Sequence, residues 1–139
     1  MDVKIKKLNE NAVIPRYANT TDAGLDLVAV SKSKDRDGNF VYGTGLAFEI
    51  PDGFVGLVFP RSSVSARCMT MANCVGVIDS CFRGEVTVKF RPHLFAKPYD
   101  KGDRVAQMII MPYPNIDLVE VDELSESDRG DGGYGSTGK

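Results

Sequence analysis

The sequence contains one histidine, three cysteines and no tryptophan. A structural zinc site takes about four Cys or His ligands, and His93 with Cys68, Cys74 and Cys81 shows none of the usual spacings. The odd number of cysteines and the absence of a C-x-x-C pair also argue against a disulfide framework. We therefore expect buried or idle thiols in a reducing cytosol.

The sequence also lacks a long apolar run and a strong excess of charge. A membrane-spanning helix needs about 20 apolar residues, and neither the N-terminal segment MDVKIKKLNENAVIP nor any later stretch approaches this length. The formal net charge of −2 provides no positive field for nucleic acid. The 139 residues have the size of one domain. We expect a soluble cytoplasmic protein with no membrane and no nucleic-acid partner.

Long stretches with helical periodicity are missing as well. Short segments rich in Val, Ile and Phe occur instead, at residues 53–59, 84–90 and 104–110. In the second segment apolar residues alternate with polar ones at Val86, Val88 and Phe90, which is typical of a half-buried strand. Turn signals separate these segments at short intervals. The pattern predicts an all-β sandwich or barrel, with a jelly roll as one possibility.

Three further stretches carry weaker signals. We expect at most one short helix, within residues 62–71, with Ser62 as its cap. Residues 31–45 are charged, and an ordinary loop is favoured over a recognition surface. Lys4, Lys6 and Lys7 are expected on a solvated strand edge.

The C-terminal segment SESDRGDGGYGSTGK is polar and then rich in glycine. Such a segment cannot bury enough surface to hold itself in place, so a frayed end is its simplest interpretation. Its last residues fit the phosphate-loop pattern G-x-x-x-x-G-K, but a working phosphate loop lies between a strand and a helix, and neither is indicated here. Its glycines, hydroxyls, arginine and single ring nevertheless suit a nucleotide, and we expect a lid that orders on one. These groups are Arg129, Tyr134, Gly135, Ser136 and Thr137.

Five short stretches, in order, are similar to the five motifs of the trimeric deoxyuridine triphosphatases (dUTPases). They are AGLDLVA at 23–29, PRSS at 60–63, NCVGVIDSCFRG at 73–84, GDRVAQMI at 102–109 and the tail at 129–138. Each is weak alone, but five in order over nearly the whole chain make a strong signal. The resemblance implies a distorted jelly roll of the dUTPase type over residues 1–124. A flexible glycine-rich arm, residues 125–139, would close over the active site.

The resemblance also implies a reaction, dUTP + H₂O → dUMP + pyrophosphate. Asp79 would position and deprotonate the water that attacks the α-phosphorus, and it would also meet the deoxyribose 3′-hydroxyl. Asp26 would hold, through water, a Mg²⁺ ion that the triphosphate binds, because Mg²⁺ retains waters and takes few carboxylates. Such an enzyme keeps uracil out of DNA and supplies dUMP for thymidylate synthesis.

The same resemblance assigns the remaining contacts. Arg61, Gln107 and Arg129 would stabilise the charge on the phosphates. The hairpin from Asn73 to Phe82 would read uracil, mainly through its backbone, with Asn73 either adding an amide contact or serving only as a turn residue. The implied substrate-binding residues are Ser62, Ser63, Asn73, Gly76, Val77, Ile78, Phe82, Tyr134, Gly135, Ser136 and Thr137.

Two positions depart from the usual residues of the family. Phe82 stands where Tyr is usual, so the ring that leaves no room for a 2′-hydroxyl is kept and any hydroxyl contact is lost. Tyr134 stands where Phe is commoner, and stacking should survive that change. The resemblance further implies a homotrimer in which one chain supplies the uracil hairpin, a second the phosphate-binding stretches and a third its arm.

Structural interpretations of the site residues stay open at this point. Asp79 also suits a turn and Asp26 a strand edge, while Gln107 would need a partner if it were only a buried amide. Asp103 and Arg104 are expected to form a structural ion pair rather than to act in catalysis.

Two alternative functions also remain. A dCTP deaminase would share the fold and the Arg-Ser-Ser stretch, but it would need a glutamate near the position where this chain has Lys89. A non-enzymatic binding module on the same scaffold is the other alternative, because a fold does not fix a function. Such a module should have lost Asp79 or the tail, and this chain keeps both.

Overall fold

The computed structural model describes residues 1–136 and 138. These residues form ten β-strands and one short 3-10 helix, with no α-helix among them. The strands are β1 (Lys4–Lys7), β2 (Leu25–Val28), β3 (Ser31–Lys34), β4 (Phe40–Gly43), β5 (Leu46–Glu49), β6 (Phe54–Pro60), β7 (Met69–Met71), β8 (Gly76–Ile78), β9 (Thr87–Pro92) and β10 (Arg104–Pro112). The 3-10 helix, Ser62–Ala66, lies between β6 and β7. The predicted all-β class with at most one short helix is confirmed.

The strands form three sheets in which every paired neighbour is antiparallel. β1 pairs with β5, a second sheet has the order β2–β10–β6–β8, and a third has the order β3–β4–β9–β7. Their apolar faces enclose one core. Three buried rings, those of Tyr42, Phe90 and Tyr99, contact one another there with centroids 5.4 to 6.0 Å apart. Burial raises the pKa of Tyr42 to about 12, and its hydroxyl donates to the carbonyl of Tyr99.

The three segments predicted as strands all form strands. Residues 53–59 correspond to β6 and residues 104–110 to β10. β9 begins at Thr87, later than expected, but Val88 and Phe90 are buried while Thr87 and Lys89 are exposed, so the predicted alternation is confirmed. The lysines of β1 are exposed on a strand with a single paired neighbour, as expected for a sheet edge.

The prediction for residues 62–71 is wrong in its extent and in its cap. Regular 3-10 geometry ends at Ala66, and the preceding cap residue is Arg61, without a side-chain hydrogen bond to the helix. Residues 69–71 instead form β7, in which two buried methionines flank an exposed threonine and the strand pairs with β9. Burial of those methionines in the core outweighs the weak local helical preference.

The predicted loop at residues 31–45 is also wrong, because β3 and β4 form a hairpin there. The carboxylate of Asp35 closes its turn by accepting hydrogen bonds from the backbone N–H groups of Asp37 and Asn39 and from the side-chain amide of Asn39. Gly38, with φ of +82°, supplies the left-handed conformation that the turn requires. The three cysteines are not buried, since all of them are free and exposed on this chain, and their expected idleness stays a prediction.

Candidate active site

Strands β2, β10 and β6 lie side by side and border an open cleft of about 420 Å³. Asp26 on β2 opposes Gln107 on β10, and Gln107 in turn opposes Phe59 on β6. Opposed residues of antiparallel strands share a face of the sheet, so the side chains of Asp26 and Gln107 reach the cleft together. Leu27, the next residue on β2, is fully buried on the core side.

Arg61 enters the cleft from the end of β6. Its backbone is extended, with φ of −82° and ψ of 154°, and the 3-10 helix begins at the next residue. Its Nε lies 2.6 Å from Oδ1 of Asp26, and its Nη2 lies 3.5 Å from Oδ2. Ser62 also borders the cleft, whereas the hydroxyl of Ser63 lies 3.5 Å from that of Tyr99. The stretch predicted to bind phosphates therefore begins at a strand end that an ion pair holds in place.

The amide of Gln107 lies against Gly24, the residue directly before β2. A Cβ at Gly24 would lie only 2.6 Å from Oε1 of Gln107, so no larger residue fits there without displacing the amide. Nε2 of Gln107 donates to the carbonyl of Pro60 at 3.1 Å. This bond is the partner that a half-buried amide requires, and it fixes Gln107 beside Arg61.

A β-bulge in β10 turns Arg104 towards the same cleft. The pairing of β10 with β2 shifts by one residue between Arg104 and Ala106. Val105 and Ala106 are consequently both buried, and Arg104 lies outside the core, at the cleft. Bulges of this kind often re-aim a side chain next to a functional site. Nη1 of Arg104 lies 3.1 Å from Oδ2 of Asp26.

The predicted ion pair between Asp103 and Arg104 is therefore wrong. The guanidinium of Arg104 pairs with Asp26, and the carboxylate of Asp103 lies 4.0 Å from Nη2 of Arg67 instead. The bulge separates these two sequence neighbours, because Arg104 is directed to the cleft while Asp103 belongs to the turn that precedes β10. Sequence reasoning thus missed Arg104 as a cleft residue, since a bulge leaves no clear signal in the residue pattern.

The residues expected to read uracil, Asn73 to Phe82, lie on β8 and on either side of it. This strand pairs with β6, from Gly76 opposite Val58 to Ile78 opposite Gly56. Among the described residues, the predicted hairpin from Asn73 to Phe82 has no internal strand pairing, so it is an edge strand followed by a turn and not a two-stranded hairpin. The turn brings the N–H of Phe82 within 3.1 Å of the carbonyl of Asp79.

The ring of Phe82 lies across Gly84. A Cβ at Gly84 would lie 2.6 Å from Cζ of Phe82, so glycine alone lets the ring rest there. Phe82 nevertheless stays 41% exposed on this chain. Val77 is also exposed, and Asn73 lies close to Gly76, whose added Cβ would be 3.5 Å from Nδ2 of the asparagine. The edge therefore presents an apolar ring and free backbone to whatever binds it.

Asp79 and Asp26 lie on opposite edges of one sheet. Three strand-to-strand spacings separate β2 from β8, which corresponds to about 14 Å. Asp79 follows Ile78, which opposes Gly56, whereas Asp26 lies level with Phe59. This offset of about four residues along the strands adds roughly 13 Å, so the backbones of the two residues lie about 20 Å apart by strand register. One chain does not bring them together.

The C-terminal arm forms a third, separate group. After Pro112 no strand follows in the described residues, and the side chains are almost all exposed. From Ser125 onward the hydrogen bonds of the described residues are local, such as Arg129 Nε to the carbonyl of Gly132 at 2.8 Å. Tyr134 is fully exposed and Gly135 follows it, both with positive φ, and Ser136 ends the local turn. Thr137, also predicted to bind substrate, lies outside the described residues.

Two carboxylates, those of Asp22 and Asp26, border the cleft, and that of Asp22 accepts hydrogen bonds from the backbone N–H and the side-chain amide of Asn19. No group of three or more His, Cys, Asp and Glu side chains that could hold a metal occurs in residues 1–136 and 138. Asp26 alone fits an ion that a substrate's phosphates and waters bind, because Mg²⁺ commonly takes only one or two protein carboxylates. The same residues include no helix long and apolar enough to span a membrane.

Known proteins resemble this chain over almost all of its length. The dUTPase family model matches residues 10–138. The deoxyuridine 5'-triphosphate nucleotidohydrolase of Nautilia profundicola is 42% identical, with 100% of each chain covered. The enzyme of the same name from Helicobacter hepaticus is 44% identical, covering 99% of this chain and 89% of its own.

Solved structures agree with these relatives. A mutant dUTPase of Staphylococcus bacteriophage 80alpha with dUpNHpp superposes with a TM-score of 0.84, at 27% identity over 99% of both chains. A mutant dUTPase from phage phi11 of S. aureus, described with a structural Mg(II) ion, gives a TM-score of 0.75 at 25% identity, over 88% of this chain and 98% of its own. The expected fold of the dUTPase type is confirmed by this agreement.

Proposed function

The chain belongs to the dUTPase family and is a dUTP nucleotidohydrolase. We propose that it hydrolyses dUTP by attack of water on the α-phosphorus, which releases dUMP and pyrophosphate. In a cell this reaction would keep uracil out of DNA and supply dUMP for thymidylate synthesis. The cytoplasmic location expected from the sequence stays a prediction.

The separation of Asp79 from the cleft supports a homotrimer with shared active sites. A general base must come within hydrogen-bond distance of the water that it activates, and a distance of about 20 Å on one sheet is far too long. Three chains related by a three-fold axis solve this problem, because the β8 edge of one chain can face the cleft of the next. The exposed arm of the third chain then has a target on its neighbours.

The cleft would bind the triphosphate. Arg61 provides a planar fork of donors, Ser62 a hydroxyl and Gln107 an amide, all on the rim of the same cavity. Asp26 would hold a Mg²⁺ ion through water, with the phosphates as its main ligands. When bound, this ion would supply positive charge that polarises the phosphoryl oxygens.

Chemistry at the α-phosphorus would then depend on Asp79 and on three donors. The Asp79 carboxylate would accept the proton of the attacking water, while Arg61, Gln107 and Arg129 would offset the charge that develops on the phosphates. Tyr134 would stack on the nucleotide as the arm closes and excludes water. The backbone of residues 76–78 would read uracil, with Asn73 beside it, and Phe82 would pack against the deoxyribose. Gly135, Ser136, Thr137 and Ser63 would complete the phosphate contacts.

A direct test measures pyrophosphate release from dUTP, UTP, dCTP and dTTP with Mg²⁺, while ammonia is measured in the same reactions. We expect pyrophosphate from dUTP alone and no ammonia. Ammonia from dCTP would identify a deaminase. Release of neither product from any of the four nucleotides would identify a binding module. Release from UTP at a similar rate would show that Phe82 does not exclude the 2′-hydroxyl.

A mixing experiment tests the shared site. The Asp79→Asn and Arg61→Gln variants are each expected to be nearly inactive, and the two are unfolded together and refolded as mixed trimers. Some sites then combine an intact β8 edge with an intact cleft, so pyrophosphate release should reappear. Recovery would not occur if each chain carried its own complete site. Refolding the variants separately and mixing them afterwards is the control.

A further inference from the structure

The carboxylate of Asp26 is engaged by two arginines at once. Oδ1 accepts from Nε of Arg61 at 2.6 Å, and Oδ2 accepts from Nη1 of Arg104 at 3.1 Å. The Asp26 and Arg61 side chains are each about 25% exposed, whereas Arg104 is 56% exposed. Two cations from two different strands therefore meet one carboxylate, which is more support than a single ion pair provides.

The pairing of Arg61 with Asp26 occupies donors that a phosphate would need. In the chain as described, Asp26 serves as the anion for Arg61. A triphosphate that enters the cleft competes for the same guanidinium, because Arg61 lies on the cleft wall. When Arg61 turns to the phosphates, Asp26 loses its closer partner and retains only Arg104.

We infer that Arg104 is a positioning residue, which holds the Asp26 carboxylate in place for the Mg²⁺ ion of the proposed function after Arg61 has moved to the phosphates. This inference rests on the proposed function. The contact of Arg104 at Oδ2 leaves Oδ1 free for a metal-bound water once Arg61 departs. Groups that hold a metal-facing carboxylate in this way tune metal affinity without touching the metal.

The bulge in β10 supports this role. Without the shift between Arg104 and Ala106, strand alternation would place Arg104 on the same side as Ala106, which is the core side. An unpaired arginine in the core is costly, so the bulge and the pair with Asp26 satisfy the guanidinium together. The same local distortion therefore aims Arg104 at Asp26 and at no other carboxylate found within salt-bridge distance among the described residues.

The test is nucleotide binding, which needs no turnover. A dUTP analogue with an imido group between the α- and β-phosphates is titrated calorimetrically into the full-length protein, once with Mg²⁺ and once with EDTA. The ratio of the two affinities reports how much the ion adds. We expect Arg104→Gln to reduce this ratio about ten- to a hundredfold, the range typical for groups that orient metal ligands. Affinity in EDTA should change little.

Two further variants sharpen the result. Arg104→Lys keeps a positive charge near Asp26 and should retain most of the wild-type ratio. Lys101→Gln removes one positive charge from the preceding turn, outside the cleft, and should behave as wild type. Melting temperatures of all variants are recorded, and Arg104→Lys keeps the test informative if the glutamine variant folds poorly.

If Arg104→Gln lowered the affinity for the analogue equally with Mg²⁺ and with EDTA, the inference would be overturned, because Arg104 would then contact the phosphates directly. An unchanged ratio in Arg104→Gln would overturn it as well. If wild-type protein bound no analogue under either condition, the proposed function would fail and the inference with it. The wild-type titration therefore separates failure of the function from failure of the role of Arg104.

Discussion

The cleft and the C-terminal arm contain similar chemical groups in opposite structural states. Arg61 in the cleft is half-buried and paired with a carboxylate from another strand, 35 residues away in sequence. Arg129 in the arm is exposed, and its Nε bonds only to a carbonyl three residues away. Both regions offer arginine and serine to an anion. Only the cleft is already held in one geometry, by strand pairing and by the ion pair between Arg61 and Asp26.

This difference indicates where the order of each region originates. The cleft is fixed by the pairing of three strands, so its groups lose little further freedom when a ligand binds. The arm makes contacts three residues apart, which cost little to form and to break. Under the proposed function, a substrate or a neighbouring chain would supply the order that these local contacts do not. Under the proposed function the β8 edge with Asp79 resembles the arm in this respect, because its partner would also lie on another chain.

The largest effect on turnover is expected from a change at Asp79, which lies outside the cleft of its own chain. Asp79→Asn removes the proposed general base, and kcat for pyrophosphate release should fall about a thousandfold. Analogue binding should remain, because the cleft is untouched. Asp52→Asn, with the same charge change in an exposed turn, is the matched control. A variant that loses binding and turnover together would show that Asp79 acts on structure.

Two leucines test the contrast through stability. Leu27 is fully buried beside Asp26, and Leu27→Ala should lower the free energy of unfolding by about 2–5 kcal/mol. Leu124 near the arm is exposed, and Leu124→Ala should change the free energy of unfolding by less than about 0.5 kcal/mol. Urea denaturation measures both. A large loss for Leu124→Ala would mean that this segment is anchored on another chain.

Arg129 tests whether the arm contributes to chemistry at all. Arg129→Gln removes one charged donor from the proposed site, and kcat/KM should fall about a hundredfold, the usual cost of one such donor. The melting temperature should stay constant because the side chain is exposed. Arg36→Gln, at the tip of the β3–β4 turn, is the control. If the kinetics of Arg129→Gln were those of wild type, the arm would be the frayed end without function that its composition first suggested.

Phe82 tests the β8 edge as a selector of the sugar. Phe82→Ala opens the space over Gly84, and the rate with UTP relative to dUTP should rise about tenfold, as expected when one pocket contact is lost. Parallel kcat/KM measurements with both nucleotides give the ratio. Phe95→Ala, at an exposed turn elsewhere, should leave the ratio unchanged. If the two variants gave the same ratio, sugar selection would have to lie outside Phe82.

The smallest effect is expected in the β3–β4 turn, which belongs to neither region. Hydrogen bonds from Asn39 above all, followed by the amine of Lys89 and the N–H of Asp37, lower the pKa of Asp35 from 3.8 to about 2. A lowered pKa in the folded state stabilises the fold above the unfolded value, so this contribution should disappear as the pH falls from about 4 to about 2. In Asp35→Asn the melting temperature should depend less on pH over that interval than in wild type. Activity at pH 7 should be unchanged. A pH profile identical to that of wild type would contradict this.

The sequence determined those features that depend on neighbours along the chain. Alternation at Val86, Val88 and Phe90 predicted a strand because side chains in a strand alternate with a period of two. The five motif stretches identified the family. The composition of the arm indicated weak local structure, because its residues have few apolar groups to bury.

Only the tertiary structure decided the features that depend on strand register. It brought Asp26, Arg61, Arg104 and Gln107 to one cleft, and it placed Asp79 on the far edge of the same sheet. A bulge of one residue exchanged Asp103 for Asp26 as the partner of Arg104, because a shift of one reverses the face on which a strand residue lies. Such a shift depends on pairing between distant segments, and Arg104 and Asp26 are 78 residues apart in sequence. The local sequence does not encode that pairing.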